Sequence, residues 1–162
     1  MINVRILIEK FFLAFLRFFP AEFSKNITLK SLKILYHLKL IKYFSVQQDS
    51  NSNGVVLGNL LFKNRIGIAG GLDKNAEYFH ILGSLGFGFI EVGTITLEPQ
   101  NGNPKPRIFR FPNDKTLVNS LGFNNSGSVK VLANIKKNKH KFDGILGVSI
   151  GKSKNTKTKN AW

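Results

Sequence analysis

The stretch GIAGGLDKN, residues 67–75, decides how the rest of the chain is interpreted. A small apolar segment leads into paired glycines, Gly70 and Gly71, which are followed by Asp73 and Lys74. Glycines directly after a strand let a flat ligand lie against the backbone, because no β-carbon obstructs it. Lys74 adds a cation that suits an anionic substrate or a negatively charged ring. An ordinary turn with a solvated lysine explains the same residues, so this stretch alone leaves both interpretations open.

Alternating strand and helix patterns surround the glycine pair. RIGIA (65–69) and FGFIEVG (87–93) have the apolar character of buried strands, and residues 76–85 between them have helical spacing. A helical segment at 129–138 and a third strand at 143–151 continue the alternation. Residues 55–64, which precede it, have the pattern of a short hairpin or strand with a Gly58–Asn59 turn. This order predicts a parallel sheet whose ligands gather at the carboxyl ends of the strands.

A long polar segment, residues 94–127, is rich in Pro, Gly and Asn. Loops of this length in compact domains tend to be functional or disordered. The segment contains RIFRF (107–111), which alternates like a strand, and NSLGFNN (119–125), which places several amide side chains beside a glycine. Such amides suit a planar substrate with carbonyl and imide groups.

The amino-terminal region predicts two amphipathic helices. Residues 2–19 are strongly apolar, but Arg5, Glu9, Lys10 and Arg17 interrupt them, which argues against a membrane-spanning helix or a secretory signal. The first helix should end at Pro20, and its apolar stripe comprises Leu7, Phe11, Phe15 and Phe18. The second helix is predicted at 28–43, and its apolar stripe comprises Leu29, Leu32, Tyr36, Leu40 and Tyr43. Flanking lysines favour association with an anionic membrane surface, while packing on a core explains the stripes equally well.

Composition excludes several classes of function. The 162 residues suffice for one domain, and the chain has no cysteine and three widely separated histidines, so no metal site is expected. A net charge of +15 suggests a polyanionic partner or simply a lysine-rich composition. The basic runs at 136–141 and 151–159 contain no aromatic residue that could stack on bases, so no nucleic-acid partner is expected. A basic nucleic-acid binder remains an alternative hypothesis.

Five segments in sequence resemble one family. They are FKNRIGIAGGLDKN, GFGFIEVGTIT, EPQNGNPKPRIFR, LVNSLGFNN and GILGVSIGKSKNT. In order and spacing they resemble the class 2, membrane-associated dihydroorotate dehydrogenases, which reduce quinone in pyrimidine (UMP) synthesis. The resemblance covers the whole chain but only the amino-terminal half of such an enzyme.

The resemblance implies an α/β fold, a truncated (β/α)8 TIM barrel made of its first few βα units. It further implies three parts: an amphipathic helical pair at 1–44, a linker at 45–54 and an incomplete FMN-binding barrel at 55–162. The helical pair would form a tunnel that admits ubiquinone or menaquinone. The expected location is peripheral on a membrane, at its cytoplasmic face if the source is bacterial. A membrane-surface binding protein that uses only these helices is the second alternative.

The resemblance also assigns site residues. The cofactor would be FMN, contacted by Gly70, Gly71, Leu72, Asp73, Lys74, Thr94 and Ser149. The substrate, dihydroorotate or its product orotate, would be bound by Lys74, Asn119, Ser120, Leu121, Gly122 and Phe123. In the implied reaction a base takes the C5 proton of dihydroorotate, hydride passes from C6 to the flavin, and the reduced flavin passes its electrons to quinone.

Two departures from the family's pattern affect these expectations. Ser149 stands where a flavin-contacting asparagine is expected, and a hydroxyl offers a single donor, so one flavin hydrogen bond worth about 1 kcal/mol would be lost. The family's general-base serine and its FMN-phosphate loops would lie beyond residue 162, so the isolated chain is expected to be inactive. A decayed gene is the favoured explanation; half of a split enzyme completed by a second polypeptide and a recording artefact are the others.

Overall fold

The computed structural model describes residues 4–45 and 54–160. The predicted linker at 45–54 therefore lies almost entirely outside the described residues. The chain forms two compact units, Met1–Ser31 with Asn103–Leu121 and Leu32–Gly102 with Gly122–Trp162, and each is described by itself. The division into a helical pair, a linker and a barrel stays a prediction.

The helices and strands are, in chain order, α1 (Val4–Arg17), α2 (Ala21–His37), β1 (Val55–Leu57), β2 (Leu60–Phe62), β3 (Gly67–Ile68), α3 (Phe79–Gly83), β4 (Phe89–Ile95), β5 (Ile108–Phe111), β6 (Thr116–Asn119), α4 (Ser128–Asn138) and β7 (Ile145–Ile150). Short 3₁₀ helices lie at Ile41–Tyr43, Lys139–Lys141 and Thr158–Asn160.

The parallel sheet predicted from the strand and helix alternation is confirmed. β4 lies in the centre, with β3 and β7 paired to it in parallel. Ile90 and Val92 on β4 are fully buried, as are Phe79 on α3 and Val131 on α4. The core of the second unit therefore lies between this sheet and helices α3 and α4. The predicted hairpin also forms, since β1 pairs antiparallel with β2 around Gly58, whose φ is 58°.

The second helix starts earlier and ends earlier than the expected range 28–43. α2 begins at Ala21 because Pro20 is tolerated just ahead of a first turn, and the Ser24 N–H donates to the Pro20 carbonyl at 3.0 Å. It ends at His37 because Lys39 adopts a left-handed φ of 60°. Residues Ile41–Tyr43 form a separate 3₁₀ helix. α1 ends at Arg17, just before the proline that was expected to end it.

The helix expected at 76–85 is also shorter, spanning Phe79–Gly83. The carboxylate of Asp73 accepts hydrogen bonds from the N–H groups of Glu77 and Tyr78, at 2.9 and 2.7 Å. These bonds hold the preceding residues in a turn, and Ala76 within it has a φ of 55°. The turn therefore occupies what periodicity alone assigned to the first helical turns.

The first unit contains a hairpin that sequence analysis predicted only in part. RIFRF forms β5 as expected, and it pairs antiparallel with β6, a strand that the polar composition did not suggest. Buried Arg107 precedes β5 and forms a two-bond ion pair with Glu22 of α2, Nε to Oε2 at 3.1 Å and Nη2 to Oε1 at 2.7 Å. Arg110 donates to the Leu16 and Phe19 carbonyls. The hairpin is thus tied to the helices of its own unit.

The apolar stripe predicted for the first helix is exposed to solvent. Leu7, Phe11, Phe15 and Phe18 are between 48% and 86% exposed. Within the first unit, these side chains do not pack on a core. No helix in the described parts of the chain is long and apolar enough to cross a membrane.

Candidate functional site

The carboxyl ends of the three parallel strands bring four of the predicted flavin contacts together. The N–H of Gly71, after β3, donates to the Gly93 carbonyl of β4 at 2.8 Å. The hydroxyls of Thr94 on β4 and Ser149 on β7 lie 2.9 Å apart and form a hydrogen bond. We call Gly70, Gly71, Gly93, Thr94 and Ser149 the carboxyl edge. The sequence pattern predicted a parallel sheet, and its strand order, β3-β4-β7, makes these distant residues neighbours.

The two glycines at the start of the carboxyl edge have different surroundings. A β-carbon on Gly70 would lie 2.6 Å from Oε1 of Glu91, the end of a flexible side chain, and 3.6 Å from Cβ of Ser149, which is an ordinary contact distance. Gly71 has a φ of 110°, and no atom lies within 4 Å of the position its β-carbon would take. Gly71 therefore faces open space, where a flat ring can approach the backbone.

Asp73 and Lys74 follow this open position, and both are buried. The Asp73 carboxylate accepts the backbone N–H groups of Glu77 and Tyr78. Burial raises the pKa of this carboxyl group, although the hydrogen bonds from Tyr78 and Glu77 act in the opposite direction. Asp73 also accepts the Gly93 N–H through its backbone carbonyl at 3.1 Å. Its side chain thus shapes the loop, whereas Leu72 beside it is half-buried. The flavin contacts assigned to Leu72, Asp73 and Lys74 stay predictions.

The predicted substrate stretch is divided between the two units. Asn119, Ser120 and Leu121 belong to the first unit, where the Asn103 side chain donates to the Ser120 carbonyl at 2.8 Å. Gly122 and Phe123 belong to the second unit, where Phe123 has a left-handed φ of 51° and a half-exposed ring. The substrate-binding role of all five residues stays a prediction.

Three further residues near this loop were not singled out from the sequence. The side chain of buried Asn125 binds Thr96, just beyond the carboxyl edge, with Nδ2 to Oγ1 at 2.8 Å. Asn75 accepts the Ser126 N–H through Oδ1 at 2.9 Å. The motifs GGLDKN and LGFNN contain these asparagines, but only the folded contacts distinguish them from their neighbours.

Two other kinds of site could bind a ligand, a metal site and a cavity. Among residues 4–45 and 54–160, no group of three or more metal-ligating side chains comes together. A cavity of about 630 Å³ lies along α4 and β7, lined mainly by apolar side chains such as Ile95, Leu132 and Ile150. It includes none of the predicted flavin contacts.

Comparison with known proteins decides the family. The sequence profile described as dihydroorotate dehydrogenase matches residues 54–161. The chain belongs to the dihydroorotate dehydrogenase family. Curated relatives named dihydroorotate dehydrogenase (quinone) include one from Neisseria meningitidis serogroup A, 45% identical over 141 residues, and one from Cellvibrio japonicus, 44% identical over 140 residues. These alignments cover 87% and 86% of this chain.

Solved dihydroorotate dehydrogenase structures agree with this assignment. The ligand-free DHODH from Eimeria tenella matches with a TM-score of 0.70 and 37% identity, covering 81% of this chain and 38% of that one. The same protein in complex with ferulenol matches with a TM-score of 0.66, covering 79% and 36%. The chain spans 40% of the length of the curated dihydroorotate dehydrogenases described above.

Proposed function

We propose that this chain carries part of the flavin and substrate site of a quinone-dependent dihydroorotate dehydrogenase. In this proposal β3, β4 and β7 are neighbouring strands of a (β/α)8 barrel, and the enzyme oxidises dihydroorotate to orotate in pyrimidine synthesis. The observation that carries the proposal is the Thr94–Ser149 hydroxyl pair beside Gly71 at the carboxyl edge. Family membership and the names of the curated relatives support it.

The residues of the carboxyl edge fit FMN. Gly71 leaves open space for a flat ring, and the two hydroxyls offer donors and acceptors to its heteroatoms. When bound, FMN supplies the hydride acceptor for the oxidation. Gly70, Gly71 and Thr94 would hold it through backbone and hydroxyl groups, with Ser149 contributing a single hydroxyl.

Lys74 and the stretch from Asn119 to Phe123 are the proposed substrate contacts. The carboxylate of dihydroorotate carries a negative charge, and Lys74 is a cation with only 9% of its surface exposed. A charge at such a shielded position acts more strongly on an anion than it does in bulk water. The amides of the stretch suit the carbonyl and N–H groups of the substrate ring.

Helix α1 supports the membrane part of the proposal. Its exposed face includes Phe11 and Phe15, which are 75% and 48% exposed, and Phe18, directly after the helix, is 86% exposed. Exposed aromatic side chains on an amphipathic helix suit burial at the boundary between lipid headgroups and acyl chains. We propose a peripheral association through this face, with ubiquinone or menaquinone taken from the membrane.

A titration of FMN against the purified chain, followed by flavin fluorescence, tests the proposal. Saturable quenching is expected for the unmodified chain, and Gly71→Val should weaken binding at least tenfold because a side chain would enter the open space. Gly58→Val is the matched control, since Gly58 has a positive φ of 58° and open surroundings in the β1–β2 turn. Absence of quenching, or equal loss in both variants, contradicts the proposal.

A further inference from the structure

Asn125 uses its whole hydrogen-bonding capacity inside the protein. Its Nδ2 donates to Oγ1 of Thr96 and to the carbonyl of Phe123, both at 2.8 Å. Its Oδ1 accepts the N–H groups of Gly127 at 2.8 Å and Thr96 at 3.3 Å. Its backbone exchanges two hydrogen bonds with Gln100, at 3.0 and 3.1 Å. The two donors and two acceptor sites of the amide are therefore all occupied.

These bonds join separate segments of the second unit. Thr96 directly follows β4 and is 1% exposed, and Gln100 lies four residues further along the same loop. Phe123 and Gly127 flank Asn125 in the loop that leads into α4. Asn125, itself 8% exposed, thus fastens the loop that carries Gly122 and Phe123 to the end of the central strand.

The fastening acts on a strained position. Phe123 has a φ of 51°, in the left-handed region that residues with a β-carbon rarely occupy. Such a conformation persists when surrounding contacts over-determine it. The bond from Asn125 Nδ2 to the Phe123 carbonyl is a direct contact of this kind. Aspartate has nearly the same shape but lacks both donors, so it would lose this bond, and a bond to Thr96 would form only at the expense of the one from the Thr96 hydroxyl to the Glu98 carbonyl.

We propose that Asn125 is a positioning residue for substrate binding: its buried amide holds Gly122 and Phe123 in the conformation that receives the planar, anionic ring. The inference rests on the proposed function, because it takes these two residues as substrate contacts. Thr96 acts with Asn125 through its hydroxyl, which accepts from the Asn125 amide and donates to the Glu98 carbonyl at 2.6 Å. Neither residue needs to touch the substrate.

Orotate binding to four variants of the FMN-supplemented full chain, measured by equilibrium dialysis, tests this role. Asn125→Asp and Thr96→Val each remove part of the fastening and should raise the orotate dissociation constant at least tenfold. Thr96→Ser keeps the hydroxyl and should stay within twofold of the unmodified chain. Asn138→Asp is the matched control, because Asn138 is also 8% exposed but bonds within and next to α4.

Retention of orotate binding in Thr96→Ser would show that the hydroxyl of residue 96 is what binding needs. Thermal unfolding of each variant is recorded as well, to detect a general loss of stability. The proposal would be overturned if Asn125→Asp and Thr96→Val bound orotate with dissociation constants within twofold of that of the unmodified chain. It would also be overturned if Thr96→Ser weakened orotate binding as much as Thr96→Val does. If the unmodified chain binds no orotate, the proposed function fails, and hydrogen exchange decides the positioning role. The amides of Gln100, Asn125 and Gly127, which donate hydrogen bonds in this loop, should then exchange at least tenfold faster in Asn125→Asp than in Asn138→Asp; equal rates would overturn it.

Discussion

The hydroxyl oxygens of Thr94 and Ser149 lie 2.9 Å apart, although 55 residues separate them in sequence. Parallel pairing of β4 with β7 produces this contact, since Val92 aligns with Val148 and Ile95 with Ile150, and an irregularity in the register lies between these two pairs. The pair stands at the edge where Gly71 leaves open space.

Ser149→Asn should strengthen FMN binding. The asparagine amide offers two donors and an acceptor where serine offers one hydroxyl, and one added hydrogen bond worth about 1 kcal/mol corresponds to a roughly fivefold lower dissociation constant. Fluorescence titration measures the change. Ser45→Asn, at a serine that bonds to the Lys42 carbonyl, is the control and should leave FMN binding unchanged. Weaker FMN binding in Ser149→Asn would show that the Thr94–Ser149 pair is needed as it stands.

Glu22→Gln should destabilise the first unit by about 3 kcal/mol, the lower end of what breaking a buried ion pair costs. Arg107, whose side chain is 7% exposed, would then face a neutral partner. The hydrogen bond from Arg107 lowers the pKa of Glu22 below 4.5, so this stabilisation is present above pH 4.5 and is lost as pH falls through the lowered value. Urea unfolding measures the effect.

An exposed ion pair supplies the control for that experiment. Lys63 and Asp143 also form a salt bridge, but their side chains are 46% and 96% exposed. Exposed pairs contribute little to stability because water and salt screen them. Asp143→Asn should leave the unfolding midpoint unchanged, and a loss as large as that of Glu22→Gln would contradict the account.

His80 should make the second unit sensitive to mild acid. It is 7% exposed, its ring packs edge-to-face on Tyr36 at 5.4 Å, and burial followed by the charge of Lys141 lowers its pKa from 6.5 to about 4. Between these values the unfolded chain binds a proton that the folded chain does not. Stability therefore falls as pH decreases from 6.5 to 4, by up to about 3 kcal/mol.

Unfolding measured at several pH values in this window checks the prediction. His80→Gln should flatten the pH dependence because no titrating group remains at that position. His140→Gln is the control, since this histidine is exposed and lowers the pKa of His80 less than burial and Lys141 do, so its loss should change the slope far less. An unchanged slope in His80→Gln would show that another group is responsible.

Phe11→Ser combined with Phe18→Ser should reduce binding to anionic lipid vesicles at least tenfold. Burying a phenylalanine side chain contributes about 1.5–3 kcal/mol, and both rings are exposed in the absence of lipid. Vesicle sedimentation measures the effect. Val129→Ser combined with Ile150→Ser is the control. It removes two apolar side chains outside the amino-terminal helices that are each 83% exposed, and it should leave vesicle binding unchanged. Equal losses in both double variants would point to nonspecific adsorption.

The sequence predicted the parts of the fold that depend on local periodicity. Strands β3, β4 and β7, helix α4 and the hairpin at Gly58 follow from apolar runs and glycine punctuation. Strand β6 escaped prediction because its residues are all exposed and it is stabilised by pairing with β5. The early start of α2 and the late start of α3 depend on hydrogen bonds at Ser24 and Asp73, which periodicity does not contain.

The candidate site shows the same limit. The glycine pair, Thr94 and Ser149 were chosen from the sequence by resemblance, and the sheet brings them together. Asn125 lies within a motif that was recognised as rich in amides, yet its bonds to Thr96 and Phe123 follow from tertiary contacts across 29 residues and within a strained turn. The sequence alone does not distinguish a buried asparagine from an exposed one. The expectation that the isolated chain is inactive stays a prediction.

Flavin content of the purified chain tests the central claim most directly. The 162-residue chain is produced in cells supplied with riboflavin, and its visible spectrum is recorded before and after orotate is added. The account predicts flavin absorption bands that shift on addition of orotate and that disappear in Gly71→Val but not in Gly58→Val. A soluble, folded chain that carries no flavin and acquires none on addition of FMN would contradict it.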